Sequence, residues 1–253
     1  MKTILKALFA LVMGVATVWS FKVPDIAYFQ APGFARIFLW HFPCPMLFTF
    51  LVITSAWFSI RVFFNPAGLK PETDAIARAE WDLRSVACME LSYLFALLTM
   101  ATGILFSKVQ WGDWWSWDPR QTSFLMVLLI YAAYFAVRLG YSDPSKRTAF
   151  SAAYSLLALL PALFLEFIFP YLPPIKLMSL HPTGSILQGK IKGEYAYCMI
   201  LILILFVIMS IYLYKIRVRT GLIELELENN DAKLDAGRDS APTGVVRPVS
   251  LSE

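Results

Sequence analysis

The chain has 253 residues, of which 58% are hydrophobic and only 16% are charged. A soluble globular chain carries about 25% charged residues, so this composition excludes a water-soluble domain and indicates a protein surrounded by lipid. The net charge of +4 does not indicate nucleic-acid binding, because the basic residues are scattered between apolar runs and form no continuous stripe.

The apolar runs along the chain predict an all-α, polytopic integral membrane protein. A bilayer core of about 30 Å is crossed by roughly 20 helical residues, and six runs approach this length. The first run follows Lys2 and Lys6, as in a signal peptide, but no clear cleavage site follows it, so we expect a retained helix. The six predicted transmembrane helices span residues 4–21, 44–60, 86–106, 122–137, 149–169 and 195–214.

The distribution of Lys and Arg predicts that both termini are cytoplasmic. Basic residues are retained on the cytoplasmic side during insertion, and with the N-terminus inside, the inner segments hold more of them than the outer segments. We therefore predict a six-helix membrane domain over residues 1–219, with an external loop at 108–123. Residues 220–253 are polar, offer little surface for packing, and are predicted to form a disordered cytoplasmic tail.

The chain lacks the motifs of soluble enzymes, and we predict that it is not an enzyme. It contains no Walker A loop, no dinucleotide-binding glycine motif and no nucleophile elbow, which argues against nucleotide hydrolysis by this chain alone. Cys44, Cys88 and Cys198 belong to different predicted helices and form no CxxC or CxxCH motif. This spacing argues against covalent haem, zinc and thiol exchange, so we interpret the cysteines as packing residues.

The loop between the third and fourth predicted helices concentrates aromatic residues. Tryptophans are common at both ends of membrane helices, but four of the chain's eight lie in this single loop. Such a concentration indicates a flat apolar surface on which a planar ligand stacks. We expect three of them to form that surface and the first to face lipid. They are Trp111, Trp114, Trp115 and Trp117.

Three charged residues of the same loop are predicted to have different roles. Arg120 has a planar guanidinium that makes two parallel hydrogen bonds to a carboxylate, so it is a candidate for an acidic substituent of the ligand. Asp118 directly precedes Pro119, a position typical of the N-cap of the fourth helix, and it is also a candidate site residue. Asp113 is expected to face outward.

The only two histidines, His41 and His181, are predicted to lie outside the membrane on the same face. A single histidine is more often a capping or hydrogen-bonding residue than a metal ligand. Next to a stacking surface, however, two imidazoles are suited to bind haem iron from both sides. We therefore predict that His41 and His181 are the metal ligands.

The segment WGDWWSWDPRQTS, residues 111–123, resembles the tryptophan-rich WWD signature of haem-handling proteins, and in particular that of the CcmC family of cytochrome c maturation system I. The six-helix layout, LWHFPCP at 39–45 and SLHP at 179–182 are also similar to that family. The resemblance implies that b-type haem is held non-covalently and transiently over the tryptophan loop, with His41 and His181 as axial ligands. The site would face outward from the plasma, or inner, membrane.

The resemblance further implies protein partners. Haem would pass to the membrane-anchored haem chaperone CcmE, and the chain would associate with the ABC-type pair CcmA and CcmB and with the small helical protein CcmD.

Three other functions remain open from the sequence. A CcsA-type cytochrome c synthetase of system II has a related tryptophan loop, but such proteins usually have more helices and additional membrane histidines. A small-solute transporter would use carboxylates within the membrane, and Glu90 and Glu166 lie in predicted helices. A b-type cytochrome needs histidines within its helices, where this chain is predicted to have none.

Overall fold

The helices of the computed structural model, which describes residues 2–64, 71–181 and 189–239, pack side by side as a membrane bundle. Six of them are long and apolar enough to cross a bilayer, and the described ranges contain no strand. The predicted all-α, six-span architecture is therefore confirmed. The helices are α1 (Lys2–Ser20), α2 (Ile37–His41), α3 (Pro43–Phe63), α4 (Pro71–Trp111), α5 (Pro119–Leu139), α6 (Pro144–Leu163), α7 (Pro173–Met178) and α8 (Gly193–Asp239).

Proline begins five of the eight helices, α3 to α7. The fixed φ of proline suits the first turn of a helix, where its missing N–H has no intrahelical acceptor to lose. At two of these helices, α5 and α6, an aspartate is the N-cap. Asp143 accepts a hydrogen bond from the backbone N–H of Lys146 at 2.8 Å, and Asp118 caps α5 in the same manner.

Helix α6 is interrupted near its C-terminal end. Pro161 lies inside the helix, and the chain continues as a π-helical turn (Phe164–Ile168) and then a 3-10 turn (Phe169–Tyr171). Proline removes one helical hydrogen bond and crowds the preceding turn, which favours such a change in winding. The predicted fifth helix, residues 149–169, is thus present but ends in irregular turns, which carry Glu166.

Two large clusters of buried apolar side chains hold the bundle together, and a smaller one lies around Leu83. One joins α3, α4, α5 and α6 around Phe48 and Tyr131, and the other joins α1, α2 and α8 around Leu39 and Ile202, with Phe106 of α4. The three cysteines are buried free thiols. A cluster of hydroxyl groups also links α3 to α4, with both Ser55 and Ser59 lying 2.9 Å from Ser85. Small hydroxyl residues of this kind allow close helix approach within lipid.

Ion pairs lie toward the end of the bundle opposite the tryptophan loop. Arg138 of α5 donates two hydrogen bonds to Asp82 of α4, at 3.0 and 2.8 Å. Arg217 of α8 donates two to Glu90 of α4, at 2.6 and 3.0 Å. Glu90 is therefore part of a contact between helices, which weakens the transport interpretation.

Helix α8 continues well beyond its apolar part. The sequence predicted a disordered tail from residue 220, but the structure is helical as far as Asp239. The segment 220–239 contains four Leu and three Glu, which are good helix formers, and Leu222 and Leu225 pack against the cluster around Leu83. The rest of the predicted tail, residues 240–253, lies outside the described residues.

Candidate functional site

A cavity of about 410 Å³ lies near the N-terminus of α3, between α4, α5 and the turns that follow α6. Most of its lining is aromatic and aliphatic, with Phe38, Met100 and Phe124 as examples. Its size falls within the range of roughly 300–1,000 Å³ that is typical of ligand sites. The charged and titratable side chains that line it are His41, Arg120, Glu166, Tyr171 and His181.

His41 is the last residue of α2 and packs against α4. Its Nδ1 atom lies 2.8 Å from Oγ1 of Thr102, and that hydroxyl donates to the carbonyl of Leu98 at 2.6 Å. A hydroxyl has one hydrogen, so we assign the proton between His41 and Thr102 to Nδ1 of the imidazole. Nε2 then keeps its lone pair. Gly103 leaves room for the ring, because a Cβ there would lie 3.3 Å from Cε1 of His41.

His181 is held in a matching way by a carboxylate. Its Nδ1 atom lies 2.9 Å from Oδ1 of Asp118. The side chain of Asp118 is fully buried, and Ser179 and the backbone N–H of Leu180 donate to it at 3.0 and 2.5 Å. A buried carboxylate next to Nδ1 favours a proton on that atom, so Nε2 of His181 also keeps its lone pair.

Asp118 has a second role, as the sequence predicted, because its carboxylate caps α5. It accepts from the backbone N–H groups of Arg120 and Gln121 at 2.8 and 3.4 Å. Burial by itself would raise the pKa of the Asp118 carboxyl. The hydrogen bond from His181, together with the backbone donors of Leu180 and Arg120, outweighs burial and holds the pKa well below its ordinary value. Asp118 is therefore a carboxylate that orients His181.

Arg120 lines the cavity with part of its guanidinium free. Its Cζ atom lies 5.2 Å from the centre of the Tyr171 ring, a cation–π distance. Its Nε atom is buried and has no hydrogen-bond partner among the described residues. A buried donor without an acceptor is costly, so this atom is suited to an acidic group of a ligand.

The four tryptophans of the loop do not share one surface. Trp111 was expected to face lipid, but its ring packs edge-on against His181 at 5.0 Å and against Phe106 at 5.7 Å. Trp114 and Trp117 are 56% and 74% exposed, and Trp115 meets Trp117 edge to face at 5.8 Å. None of the four lines the cavity. The expected stacking surface and the histidines are therefore neighbours rather than one site.

The loop that carries the tryptophans is braced by polar side chains. Gln121 donates to the carbonyl of Trp114 at 3.2 Å, and Ser107 donates to that of Asp113 at 2.9 Å. The Asp113 side chain is exposed, as expected. Trp117 has a φ of 55°, in the left-handed region that is uncommon for a bulky residue. The packing and hydrogen bonds around it must therefore stabilise this conformation.

The structure thus brings His41, His181 and Arg120 to one cavity, with Asp118 and Trp111 behind His181. Sequence reasoning missed Thr102 and Ser179, because a threonine in an apolar run and a serine in a loop have no distinctive pattern. Glu166 was noticed only as a membrane carboxylate. Pro182, which belongs to the SLHP motif, lies outside the described residues.

Comparison with known proteins gives a consistent result. The sequence profile of the CcmC family, described as heme exporter protein C, matches residues 1–233. Heme exporter protein C of Paracoccus denitrificans is 29% identical over 131 residues, which are 50% of this chain and 47% of the relative. The protein of that name from Haemophilus influenzae is 28% identical over 136 residues, which are 52% and 48% of the two chains.

A second group of relatives has a different name. The cytochrome c biogenesis protein CcsA of Prochlorococcus marinus is 36% identical over 81 residues, which cover 31% of this chain and 26% of the relative. The chain therefore spans about half the length of the heme exporter relatives that it matches, and a smaller part of the CcsA relative.

Proposed function

Because the chain belongs to the CcmC, or heme exporter protein C, family, we propose that it holds one haem between His41 and His181 and delivers it to a haem chaperone. Membership of the family supports a role in haem handling for cytochrome c biogenesis, and the six apolar helices make the chain a multi-pass membrane protein. The ligands, the side of the membrane and the recipient are parts of the proposal.

The observation that carries this proposal is that the two imidazoles share one cavity and the same pattern of hydrogen bonding at Nδ1. Both histidines line one cavity, and in both the Nδ1 atom is occupied by a neighbouring oxygen. Each ring is therefore left with Nε2 as its free nitrogen, which is the arrangement that axial ligation of haem iron requires. When bound, haem supplies an iron with two axial positions.

Arg120 and the apolar lining complete the proposed site. The unpartnered Nε atom of Arg120 would donate to a haem propionate, and the aromatic and aliphatic lining would exclude water from the porphyrin. Thr102 and Asp118 would fix the planes of the two imidazoles. Haem is bound here as cargo, b-type and non-covalent, so its residence is transient.

The site is proposed to face outward from the plasma, or inner, membrane, with both termini in the cytoplasm. This orientation follows from the excess of Lys and Arg in the inner segments. The exposed Trp114 and Trp117 lie beside the site, and we assign to them the contact with the recipient, which in this family would be CcmE. CcmA, CcmB and CcmD are the further partners that the family implies.

Two other functions receive less support. The match to CcsA covers a quarter of that relative, whereas the CcmC profile covers nearly all of this chain, so a synthetase of system II is the weaker reading. A small-solute transporter would need a path of polar groups. Glu90 is paired with Arg217, so of the two carboxyls considered for transport Glu166 alone remains, and one carboxyl does not form a path.

The proposal is tested by purifying the protein from cells supplied with haem. The absorption spectrum and a pyridine haemochrome assay should show haem bound to the wild type with the low-spin signature of two histidine ligands. Replacing both His41 and His181 with Gly should abolish that signature while the protein still inserts. A wild-type protein that binds no haem would contradict the proposed function.

A further inference from the structure

Glu166 is a buried carboxyl that the proposed haem ligation does not use. It lies on the π-helical turn after α6 and lines the same cavity as the two histidines. Its Oε2 atom is buried and has no hydrogen-bond partner among the described residues. Carboxylates are rarely left in this condition within a membrane, because an unpaired buried charge is costly.

The one described partner of Glu166 accommodates either protonation state. The Thr49 hydroxyl lies 2.8 Å from Oε1 of Glu166 and 3.0 Å from the carbonyl of Pro45. Its single hydrogen serves one acceptor at a time. When this hydrogen points to Pro45, the Thr49 oxygen accepts a hydrogen bond from a neutral Glu166, and when it turns to Glu166, it donates to the carboxylate. The contact thus survives a change in the charge of Glu166.

Among the described residues around Glu166, few could titrate in its place. The other charged or titratable groups that line the cavity are Arg120, His41, His181 and Tyr171. The Tyr131 hydroxyl of α5, which is buried and has no hydrogen-bond partner in the described part of the chain, also interacts electrostatically with Glu166. Arginine as a residue type is always charged in proteins and tyrosine ordinarily ionises only near about pH 10, whereas both histidines would be iron ligands. Of these groups, Glu166 is therefore the one that can gain or lose a proton when haem is bound.

Haem changes its charge when it is reduced. With two neutral histidines, the ring and its ferric iron carry one positive charge, and the ferrous form carries none. In a cavity of low dielectric constant, a carboxylate is stabilised beside the first form and not beside the second. Resting on the function proposed above, we infer that Glu166 exchanges a proton in step with the oxidation state of the bound haem.

The exchange balances in charge and atoms. When an external one-electron donor reduces ferric haem, the electron goes to the iron, and the Glu166 carboxylate takes one proton from the solvent. Oxidation reverses both transfers. Glu166 is ionised beside ferric haem and neutral beside ferrous haem, so the chain couples an electron to a proton at this site.

The test is the pH dependence of the haem midpoint potential, measured by spectroelectrochemistry on the purified full-length protein. Across roughly pH 5 to 9, the range in which buried carboxyl groups titrate, the wild-type potential should fall as pH rises. The slope should approach 59 mV for each tenfold change in proton concentration, the value for one proton per electron. Glu166→Gln should bind haem with the same spectrum and remove this slope.

The matched control is Glu90→Gln, which removes a membrane carboxyl that is paired with Arg217 and does not line the cavity. Its potential should keep the wild-type slope. If Glu166→Gln loses haem, Thr49→Val replaces it as the test. That variant removes the hydroxyl that donates to the Glu166 carboxylate. The pH range over which the haem potential falls should therefore move to higher pH.

The outcomes separate this inference from the proposed function. A wild-type potential that does not change with pH, or a slope that survives Glu166→Gln, would overturn the role of Glu166 while leaving haem binding intact. A Thr49→Val profile identical to the wild type would also overturn it where Glu166→Gln cannot be measured. A wild-type protein that binds no haem would overturn both.

Discussion

The Nδ1 atom of His181 lies 2.9 Å from Oδ1 of Asp118, the carboxylate that also caps helix α5. One side chain therefore sets the start of a membrane helix and the orientation of a proposed iron ligand 63 residues later in the chain. The Nδ1 atom of His41 has a neutral partner instead, the hydroxyl of Thr102. The two proposed ligands consequently differ in basicity, because a charged hydrogen-bond acceptor increases the electron donation of an imidazole more than a hydroxyl does.

Replacing either histidine with Gly should remove one axial ligand and leave a cavity beside the iron. We expect the single variants His41→Gly and His181→Gly to lose the low-spin spectrum, and added imidazole to restore it by occupying the vacated position. Absorption spectra with and without imidazole provide the measurement. Unchanged spectra in both single variants would rule out the axial assignment.

Replacing Asp118 with Asn should weaken haem binding without removing the helix cap. The Asn side chain still accepts from the backbone of α5, but it lacks the charge that supports His181. We expect haem affinity to fall by roughly 10- to 100-fold, as for other residues behind metal ligands, and the haem potential to rise. Thr102→Val, which removes the partner of His41, should have a smaller effect on the potential.

The low pKa of Asp118 also gives an expectation for pH. A carboxyl whose pKa in the folded protein lies below the ordinary value of 3.8 contributes its stability above that pH. The contribution is lost only as the pH falls below 3.8 toward the folded pKa. Haem retention between about pH 5 and 8 should therefore be independent of Asp118 titration. A wild-type change in that range that disappears in Asp118→Asn would contradict this assignment.

Arg120 should contribute to haem retention through its guanidinium. Arg120→Lys keeps the charge but loses the planar donor set, so haem stoichiometry should fall partway, and Arg120→Ala should lower it further. Lys108→Ala is the matched control, because Lys108 is a cation of the same region that lies over the exposed Trp114 ring. Full haem retention in Arg120→Ala would show that the propionate partner lies elsewhere.

The tryptophans should divide into two groups. Trp111→Ala removes the ring that packs against His181, so it should weaken haem binding several-fold. Trp114→Ala and Trp117→Ala remove exposed rings outside the cavity, so haem should stay bound while co-purification with the chaperone falls. Haem loss from the Trp114→Ala, Trp117→Ala double variant would instead support the flat stacking surface that the sequence predicted.

The ion pairs at the opposite end of the bundle should matter for stability rather than for haem. Asp82 and Arg138 are largely buried, with 10% and 19% of their side chains exposed, so Asp82→Asn leaves a cation without its partner. Breaking a buried ion pair costs about 3–5 kcal/mol of folding stability. The unfolding temperature of Asp82→Asn in detergent should therefore be lower than that of the wild type. Glu90→Gln should have a much smaller effect, because the Glu90–Arg217 pair is more exposed. Equal unfolding temperatures for the two variants would contradict this ranking.

Six helices and the cap at Asp118 were predictable because each depends on residues adjacent in the chain. Hydrophobic length identifies a membrane helix, and an aspartate before proline identifies a helix start. The long extension of α8 was missed because its charged residues were read as a sign of disorder. Its leucines and glutamates, however, are strong helix formers, and they continue an existing helix whose nucleation is already complete.

The geometry of the site was less predictable because it depends on contacts between distant residues. The two histidines were identified by their rarity, but nothing local indicated that Thr102 and Asp118 would occupy their Nδ1 atoms. The tryptophan loop was predicted as one surface because its residues are close in sequence. In the structure, Trp111 packs against His181, whereas Trp114 and Trp117 are exposed and lie outside the cavity.

Helix α8 has a geometric consequence beyond the membrane. Its 47 residues give a length of about 70 Å at a rise of 1.5 Å each, whereas the bilayer core needs about 30 Å. Roughly 40 Å therefore forms a rod outside the hydrocarbon, braced near its base where Val218 packs with Leu83 and Ala87. A tilt of about 10° at that base would move the far end by about 7 Å. Small motions among the membrane helices are thus amplified into displacements large enough for a probe at that end to detect.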